Sequence, residues 1–354
     1  MVAQSSRLAP AVVAESSPGQ AALQVRAAVS SLLDDAETAG LLTARVVGIA
    51  VSGGPDSLAL ADAAAYACGK RGLESHALIV DHGLQASAAA VARETARTVE
   101  ALGVTTARVL QVEVSGRGGV EAAARRARYG ALADAVPDSL VLLGHTRDDQ
   151  AETVLLGLGR GSGPRSICGM RPLDPPWARP LLDVPRASTV RACAELGVLP
   201  WQDPHNADSR FTRARLRAEV LPLLEEVLQG GVAGALARTA TQLREDCEAL
   251  DALAADLRTA ATATGSAGSE DADSTDGTGE LDVVALADAH AAVRRRALRA
   301  WLLDAGASDL TDGHLRAVDE LVSRWRGQGG VWLPGDLVAS RAHGKLRVCR
   351  QGQT

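Results

Sequence analysis

The sequence predicts an α/β fold, in which a Rossmann-like parallel sheet is followed by a helical connection and a small α/β C-terminal domain. Short apolar runs alternate with helical stretches in the first half of the chain, a pattern typical of parallel βαβ units with right-handed crossovers. From about residue 205 the pattern becomes helical, and a segment of low hydrophobicity at residues 265–279 interrupts it. A length of 354 residues makes two domains the default expectation.

Each element of the first domain follows from a local pattern. Apolar residues recur at helical spacing over residues 21–35, which predicts an amphipathic first helix. Short apolar runs bounded by turn signals predict four strands, at residues 46–51, 77–80, 107–114 and 140–143. The stretches between them predict helices at residues 58–69, 86–102 and 120–136. Sheets of this kind bind ligands outside the carboxyl ends of their strands, so functional residues are expected there.

The composition excludes several classes of function. No apolar run approaches the roughly 18 residues of a membrane span, so transport and membrane partners are not expected. Only 2% of the residues are aromatic, which disfavours the long stacking platforms of nonspecific single-strand binders. The five cysteines are scattered without a C-x-x-C pair, which disfavours a disulfide scaffold or a cysteine zinc site. The first 20 residues show no secretory signal, so a cytoplasmic protein is expected.

The net charge of −6 is unevenly distributed along the chain. Six acids and no base lie between residues 265 and 282, whereas residues 283–354 carry eleven bases against seven acids. A modestly basic C-terminal module therefore follows an acidic linker. The arginine run 294–296, together with Arg299, is a candidate phosphate-binding patch in this module, although such charge runs are more often solvated faces. Trp325 and Trp332 are expected to pack the core of the module, with base stacking as the alternative.

The strongest motif is Ser52-Gly53-Gly54-Pro55-Asp56-Ser57, which lies between the predicted strand at 46–51 and the following helix. Its glycines let the backbone approach a phosphate closely, and the N–H groups at a helix start favour an anion. The hydroxyls of Ser52 and Ser57 can donate to phosphate oxygens, whereas Asp56 suits Mg²⁺, a hard cation with carboxylate and phosphate ligands. No Gly-Lys-Ser/Thr follows, so the loop is not a Walker A motif.

A second motif, His145-Thr146-Arg147-Asp148-Asp149-Gln150-Ala151-Glu152-Thr153, follows the predicted strand at 140–143. At helical spacing His145, Asp149 and Glu152 fall on one face. An imidazole and two carboxylates beside a phosphate loop can bind Mg²⁺ or a cationic ammonium group. A solvated helix start, whose acids complement the helix dipole, is equally compatible with this spacing.

The first motif resembles the PP-loop of the N-type ATP pyrophosphatases, which cleave ATP between the α- and β-phosphates. The second motif is similar to the corresponding stretch of the tRNA(Ile)-lysidine synthetases. So are the segments Val80-Asp81-His82-Gly83-Leu84, Arg179-Pro180-Leu181-Leu182 and Phe211-Thr212-Arg213-Ala214-Arg215-Leu216-Arg217. The resemblance covers most of residues 46–228, and residues 311–348 resemble that family's C-terminal substrate-binding domain more loosely. Ala214 stands where the family usually has Asn, which puts a local contact in doubt.

The resemblance implies a reaction. It implies an ATP-dependent ligase that joins L-lysine to the wobble cytidine of an isoleucine tRNA with a CAU anticodon. The C2 oxygen of the base is adenylated, and the lysine ε-amine then displaces AMP. The residues implied to bind ATP and Mg²⁺ are Ser52, Gly53, Gly54, Pro55, Asp56 and Ser57, with Asp56 and Asp149 as metal ligands. His145 and His82 are also expected at the nucleotide, although His82, at the end of a predicted strand, can instead cap the turn. The residues implied to be catalytic are Asp56, Asp149, Glu152, Arg213 and Arg217.

Composition and the resemblance together predict the organisation of the chain. An extension at 1–19 precedes a PP-loop catalytic domain at 20–218, a helical connection at 219–264, an acidic flexible linker at 265–280 and a tRNA-binding domain at 281–354. Arg125 and Arg128 lie three residues apart on one predicted helix face, where they can meet tRNA phosphates, pair with Glu121 or face solvent. The sequence leaves the oligomeric state open, a homodimer included.

Three other functions compete with the ligase. A tRNA 2-thiolase belongs to the same superfamily, but the missing C-x-x-C pair counts against its sulfur chemistry. A noncatalytic ATP-binding module would have no use for Asp56, Asp149 and Glu152. A simple RNA-binding scaffold is disfavoured by the scarcity of aromatic residues.

Overall fold

The structure, a computed structural model, describes residues 18–81, 83, 88–113, 120–161, 163–202, 210–266 and 279–350. The chain forms two compact units, Met1–Thr241 and Gln242–Thr354. The division falls inside one long helix, Val232–Ser266.

The first unit is built on a six-stranded sheet with helices on both faces. Its strands are β1 (Val46–Val51), β2 (Glu74–Asp81), β3 (Thr106–Gln111), β4 (Val141–Leu142), β5 (Leu173–Asp174) and β6 (Trp177–Ala178). Its helices are α1 (Gln20–Thr38), α2 (Pro55–Arg71), α3 (Ala88–Ala101), α4 (Val120–Ala135), α5 (Arg147–Arg160), α6 (Pro164–Ile167), α7 (Arg186–Glu195), α8 (Thr212–Arg215) and α9 (Leu221–Val227). The strand order is β3-β2-β1-β4-β6-β5, and the pairs from β3 to β6 are parallel whereas β5 pairs antiparallel with β6. The predicted α/β fold with a parallel sheet is confirmed.

Strand β1 is the centre of this unit because its VVGIAV sequence is apolar on both faces. Val47 and Ile49 are fully buried against a cluster that helices α1, α2 and α7 contribute. The opposite face is covered by α4, whose Leu132 packs with Leu78 and Val141. This arrangement leaves the carboxyl ends of the strands to the loops that carry both motifs.

The predicted elements differ from the structure at their ends. Strand β1 has the predicted bounds, but β3 ends at Gln111, short of the predicted residue 114. The neighbouring strand β2 ends at Asp81, whose carbonyl accepts from the Val112 N–H at 3.0 Å, so β3 ends beside the end of its partner. Helix α2 begins at Pro55, three residues earlier than predicted, because proline is pre-organised for the first helical position.

The second unit contains a four-stranded antiparallel sheet and three shorter helices that follow α10 (Val232–Ser266). Its elements are β7 (Leu281–Asp282), α11 (Val283–Ala287), α12 (Ala291–Asp304), α13 (Asp312–Ser323), β8 (Val331–Leu333), β9 (Leu337–Ala342) and β10 (Lys345–Arg350), with strand order β7-β10-β9-β8. Leu298 and Leu302 of α12 and Leu321 of α13 have no exposed surface and form its core with the inner face of the sheet.

Two predictions for this unit are wrong. Arg294 is buried and donates to Asp319 at 2.7 Å, and Arg296 donates to Asp251 at 2.7 Å, so these two arginines are neither free for a phosphate nor part of a solvated face. Trp325 and Trp332 do not pack the core, because 37% and 63% of their surfaces are exposed. Burial of Trp301, which is 3% exposed, fills that role instead.

Within the described residues, no single helix has the length and apolar composition of a membrane span. Two successive helical segments, Thr212–Val227 and Val232–Thr262, have that length and composition only when taken together, and the chain bends by 95° between them.

Candidate functional site

A cavity of about 750 Å³ lies at the carboxyl ends of β1, β2 and β4. Its volume falls within the range of small-molecule binding sites. Residues of both sequence motifs line this cavity, and so does Arg217 from a later helical turn. The lining residues of the motifs are Ser52, Gly54, Pro55, Asp56, Ser57, His145 and Asp149.

The first motif forms a tight loop between β1 and α2. Gly53 has a φ of +84°, which favours glycine, and a Cβ there would lie 2.7 Å from the Thr95 hydroxyl oxygen. The Trp201 N–H donates to the Gly53 carbonyl at 2.9 Å. The Ser57 hydroxyl accepts from the Ser52 N–H at 3.1 Å and donates to a loop carbonyl at 3.0 Å. Ser57 therefore holds the loop together, and the exposed Ser52 and the start of α2 are the parts suited to a phosphate.

The second motif begins helix α5 with a capping box. The Thr146 N–H and hydroxyl both donate to Asp149 Oδ2, each at 2.8 Å. Asp149 Oδ1 accepts from Arg186 Nη2 at 2.8 Å and from Arg217 Nη2 at 3.2 Å. Asp148 accepts from the Arg186 N–H at 2.9 Å and so ties the start of α7 to the start of α5. Because both oxygens of Asp149 have two donors each, this carboxylate organises the site.

Arg186, to which neither motif points, links the two motifs. Its Nε donates to Asp56 Oδ2 at 3.1 Å, and its Nη1 lies 3.8 Å from Glu152 Oε1. Thr189, one turn further along α7, donates its hydroxyl to Asp56 Oδ1. Arg186 is the first residue of α7, where the helix dipole favours an acid. A cation at that position is the signal from which a nearby carboxylate cluster could have been predicted.

Glu152 has no exposed surface and faces three arginines, Arg186, Arg213 and Arg217. Its Oε1 accepts from Arg217 Nε at 2.9 Å. Its buried Oε2 has no hydrogen-bond partner among the described residues, and Arg213 Nη1 lies 3.7 Å away. Arg217 belongs to a π-helical turn, Leu216–Val220, between α8 and α9, and such turns are frequent at functional sites.

Burial and ion pairing set the charges of this cluster. Burial raises the pKa of Asp56 and of Glu152, although Arg186 and Arg217 respectively oppose it. Burial also acts to raise the pKa of Asp149, but Arg186 and the Thr146 N–H hold it below its usual value. Burial acts to lower the pKa of Arg186. The combined effect of Asp149 and Asp56 is larger and opposite, so the pKa of Arg186 lies above its usual value. Asp149 and Arg186 are therefore the permanent ion pair of the site.

His145 is a neutral imidazole at neutral pH. Burial lowers its pKa to about 4; Asp149 opposes this shift, and Arg179 adds to it. The buried Nδ1 has no hydrogen-bond partner among the described residues. The ring can therefore exchange hydrogen bonds with a ligand but supplies no positive charge.

Arg125 and Arg128 do not form a free surface pair. Both guanidinium groups lie over the Tyr129 ring, at 4.7 and 5.6 Å from its centroid, and Arg125 donates to the Tyr129 hydroxyl at 3.0 Å. Arg128 and Tyr129 line the cavity. The side chain of Glu121 lies outside the described part of the chain, so its predicted pairing stays a prediction.

The carboxylates differ in their capacity to hold a cation. Each oxygen of Asp56 accepts one hydrogen bond, so Asp56 has lone pairs left for a divalent ion. The four hydrogen bonds that Asp149 accepts use the lone pairs of its carboxylate. Asp56 is therefore the better metal ligand of the two. The described residues contain no group of three or more His, Cys, Asp or Glu that could hold a metal. Mg²⁺ is commonly bound by one or two carboxylates and substrate phosphates, so the donor set fits this ion.

The structure brings most of the predicted site residues into one network. Asp56, Asp149, Glu152, Arg213 and Arg217 are joined by the contacts above, and His145 lines the same cavity. His82 lies outside the described residues.

Two family models match the chain. Residues 22–224 match the model described as a PP-loop domain, and residues 281–347 match the TilS substrate binding domain.

Curated relatives match over nearly their whole length. The tRNA(Ile)-lysidine synthase of Mycolicibacterium paratuberculosis is 60% identical over 308 residues, which are 86% of this chain and 90% of that one. Those of Nocardia farcinica and Mycobacterium tuberculosis are 56% and 57% identical, over 88% and 86% of this chain and 94% and 90% of theirs. Among solved structures, the U34-tRNA thiolase NcsA from Methanococcus maripaludis matches 64% of this chain and 80% of its own, with a TM-score of 0.51 and 16% identity. That likeness concerns the fold alone.

Proposed function

The chain belongs to the tRNA(Ile)-lysidine synthase family, and from this membership we propose that it joins L-lysine to the wobble cytidine of an isoleucine tRNA with a CAU anticodon. ATP activates the C2 oxygen of the base as an adenylate with release of pyrophosphate. The lysine ε-amine then attacks C2, and AMP leaves.

The observation that carries this proposal is the acid–arginine network between the PP-loop and helix α5. One cavity is lined by a loop suited to phosphates and by Asp149 and Arg186, and Glu152, 3.8 Å from Arg186, completes a carboxylate cluster suited to a cationic amine. Adenylation needs the phosphate-binding loop, and lysine transfer needs the carboxylate cluster. A simple ATP-binding module has no use for the carboxylate cluster.

The residues of the cluster divide the chemistry among them. The Ser52–Ser57 loop binds the ATP phosphates, and Asp56 would hold Mg²⁺, which neutralises charge on the leaving pyrophosphate. Arg213 and Arg217 stabilise negative charge that develops at the reacting centre. Asp149 accepts two hydrogen bonds from Thr146, which fix the carboxylate, and positions Arg186 and Arg217 through the other two.

Glu152 is the carboxylate best suited to the lysine ammonium. Its Oε2 is buried without a hydrogen-bond partner among the described residues, so an ammonium group there would satisfy it. The ε-amine must lose a proton before it attacks C2. Because burial raises the pKa of Glu152, this group is also suited to accept that proton.

The test is an incubation of the purified chain with ATP, Mg²⁺, radiolabelled L-lysine and a transcript of the isoleucine tRNA with a CAU anticodon. Label in acid-precipitable RNA, with AMP and pyrophosphate released, is the expected result. Asp56→Asn should abolish both pyrophosphate release and labelling. Glu152→Gln should retain tRNA-dependent pyrophosphate release and lose labelling, because adenylation precedes lysine transfer.

The matched control is Glu219→Gln. Glu219 is an exposed glutamate in the same π-helical turn as Arg217 and pairs only with Arg215 among the contacts described, at 2.9 Å. This variant should label tRNA as the unchanged chain does. Pyrophosphate release without lysine transfer by the unchanged chain would contradict the ligase and direct attention to another nucleophile.

A tRNA 2-thiolase is not favoured. Four of the five cysteines are buried, and the cysteines form no cluster of metal-binding residues in the part of the chain that the structure describes.

We place the reaction in the cytoplasm, since none of the five cysteines is in a disulfide. The homodimer stays a prediction, which sedimentation velocity tests.

The division of labour along the chain is also a proposal. Residues 20–218 would carry out the ATP and lysine chemistry, 219–264 and the acidic 265–280 would connect, and residues 281–354 would bind tRNA. The match of residues 281–347 to a substrate-binding domain supports the last assignment.

A further inference from the structure

The turn between α13 and β8 presents an unusual surface in the second unit. It contains the sequence Arg324-Trp325-Arg326, and all three residues are exposed, Trp325 to 37%. Residues 324–350 hold six bases and one acid. A large aromatic ring between two cations at the surface is more than the turn itself requires.

Two arginines of the turn and Arg341 of β9 differ from Arg294 and Arg296 of the same unit in their partners. Arg294 and Arg296 are each paired with a carboxylate at 2.7 Å. Arg324, Arg326 and Arg341 have no carboxylate partner within the described residues. Their charges are therefore available to an anion.

The turn is held in one conformation by Gln328. Its Oε1 accepts from the Arg326 N–H at 2.6 Å, and its Nε2 donates to the carbonyls of Glu320 and Arg324 at 3.2 and 3.3 Å. A turn fixed in this way presents its side chains with little ordering cost on binding.

Trp325 is part of a preformed stack. The Arg341 guanidinium lies 5.1 Å from the centre of the Trp325 ring, and its Nη1 donates to the Leu321 carbonyl of α13 at 2.9 Å. Both tryptophan rings and arginine planes are surfaces on which unpaired RNA bases stack.

We propose that the α13–β8 turn binds an unpaired stretch of the tRNA, with one base stacked on the Trp325–Arg341 pair and the adjoining phosphates contacting Arg324 and Arg326. The proposal rests on the function proposed above, because it takes tRNA as the substrate. A protein partner is disfavoured as the occupant, since three unneutralised arginines around one aromatic ring match a polyanion with exposed bases.

The chain offers a matched control in Trp332. It is more exposed than Trp325, at 63%, and lies in the same unit. Its neighbour Leu333 is buried in the core, so by the alternation of a strand Trp332 points to the opposite face of the sheet. Arg341, in contrast, reaches α13.

The experiment measures Kd for the transcript of the isoleucine tRNA by filter binding at several salt concentrations, with the full chain. We expect Trp325→Ala to weaken binding roughly tenfold and Trp325→Phe to stay close to the unchanged chain, because stacking is worth that much per base. Trp332→Ala should bind normally. Arg324→Ala with Arg326→Ala should reduce the slope of log K against log salt by roughly 1.4, the value for two single-strand phosphate contacts.

Activity separates this inference from the proposed function. At saturating tRNA the Trp325→Ala variant should form product at the unchanged rate, so that KM rises while kcat does not. Normal binding by Trp325→Ala, or weakened binding by Trp332→Ala in a chain with an unchanged thermal midpoint, would overturn the inference and leave the ligase intact. A chain that neither binds nor modifies the tRNA would overturn both.

Discussion

At the scale of single residues, Arg186 determines the electrostatic balance of the site. It contacts Asp56 and Asp149 at hydrogen-bond distance, and all three side chains are at most 20% exposed. Removing one partner from such a cluster leaves uncompensated buried charge, which costs more than the pair itself contributes. Asp56 of the first motif and Asp149 of the second motif both accept hydrogen bonds from Arg186. Arg186 therefore couples the PP-loop to the start of α5.

We therefore expect Arg186→Gln to lower the free energy of unfolding by about 2–4 kcal/mol and to reduce lysidine formation at least 100-fold. Arg186→Lys should recover much of the stability but little of the activity, because an ammonium cannot bridge two carboxylates with a planar fork. Urea unfolding and single-turnover labelling measure the two effects. Equal recovery of both by lysine would show that charge alone is needed at this position.

His145 predicts a pH dependence of stability. Its pKa is about 4 in the folded chain and about 6.5 when unfolded, so the unfolded state binds more protons between these values. The contribution of His145 to the free energy of unfolding is complete above pH 6.5. It decreases as the pH drops toward 4, by at most about 3 kcal/mol. Replacing His145 by Gln should remove this component. Calorimetric unfolding from pH 7.5 to 4.5 compares the two chains, and identical pH profiles would contradict the shift.

At the scale of elements, the end of α5 depends on a close approach to α6. A Cβ added at Gly157 would lie 2.0 Å from the Ser166 carbonyl oxygen, whereas one added at Gly159 would meet nothing within 4 Å. Gly157→Ala must push the two helices apart and should cost about 1–3 kcal/mol. Gly159→Ala, on the same helix, should stabilise by up to about 1 kcal/mol. Thermal unfolding measures both, and changes of the same sign would contradict the proposed packing.

Local signals decided what could be predicted about these elements. The PP-loop and the start of α5 were predictable because strand, turn and helix cap are encoded within a few residues. The partners of Arg186 were not, because its contact with Asp56 joins residues 130 positions apart, although a cation at the start of a helix is a local sign that a carboxylate lies nearby. Trp332 was mispredicted because its burial depends on which face of a sheet the helices cover. The saturation of Asp149 likewise depends on arginines from two other helices.

At the scale of the whole molecule, the negative net charge opposes a polyanionic substrate. Of the six acids between residues 265 and 282, two have structural roles: Glu280 pairs with Lys345 at 3.3 Å, and Asp282 accepts from the Val284 N–H at 2.7 Å. The other four, Glu270, Asp271, Asp273 and Asp276, lie outside the described residues and account for most of the net charge of −6. A charge of this kind acts over roughly a Debye length, about 30 Å at 0.01 M salt and 8 Å at 0.15 M.

Replacing those four acids by serine should therefore accelerate tRNA association by roughly two- to tenfold at 0.01 M salt, through steering alone. The gain should largely vanish at 0.3 M salt, and the dissociation rate should change little, because no contact is added. Stopped-flow fluorescence with labelled tRNA measures both rates. The control is a chain in which residues 267–278 are shuffled with their acids kept. Since steering depends on charge and not on order, that chain should associate at the unchanged rate. A shuffled chain that accelerates as much as the neutralised one would show that a specific contact of this segment, and not its charge, slows tRNA binding.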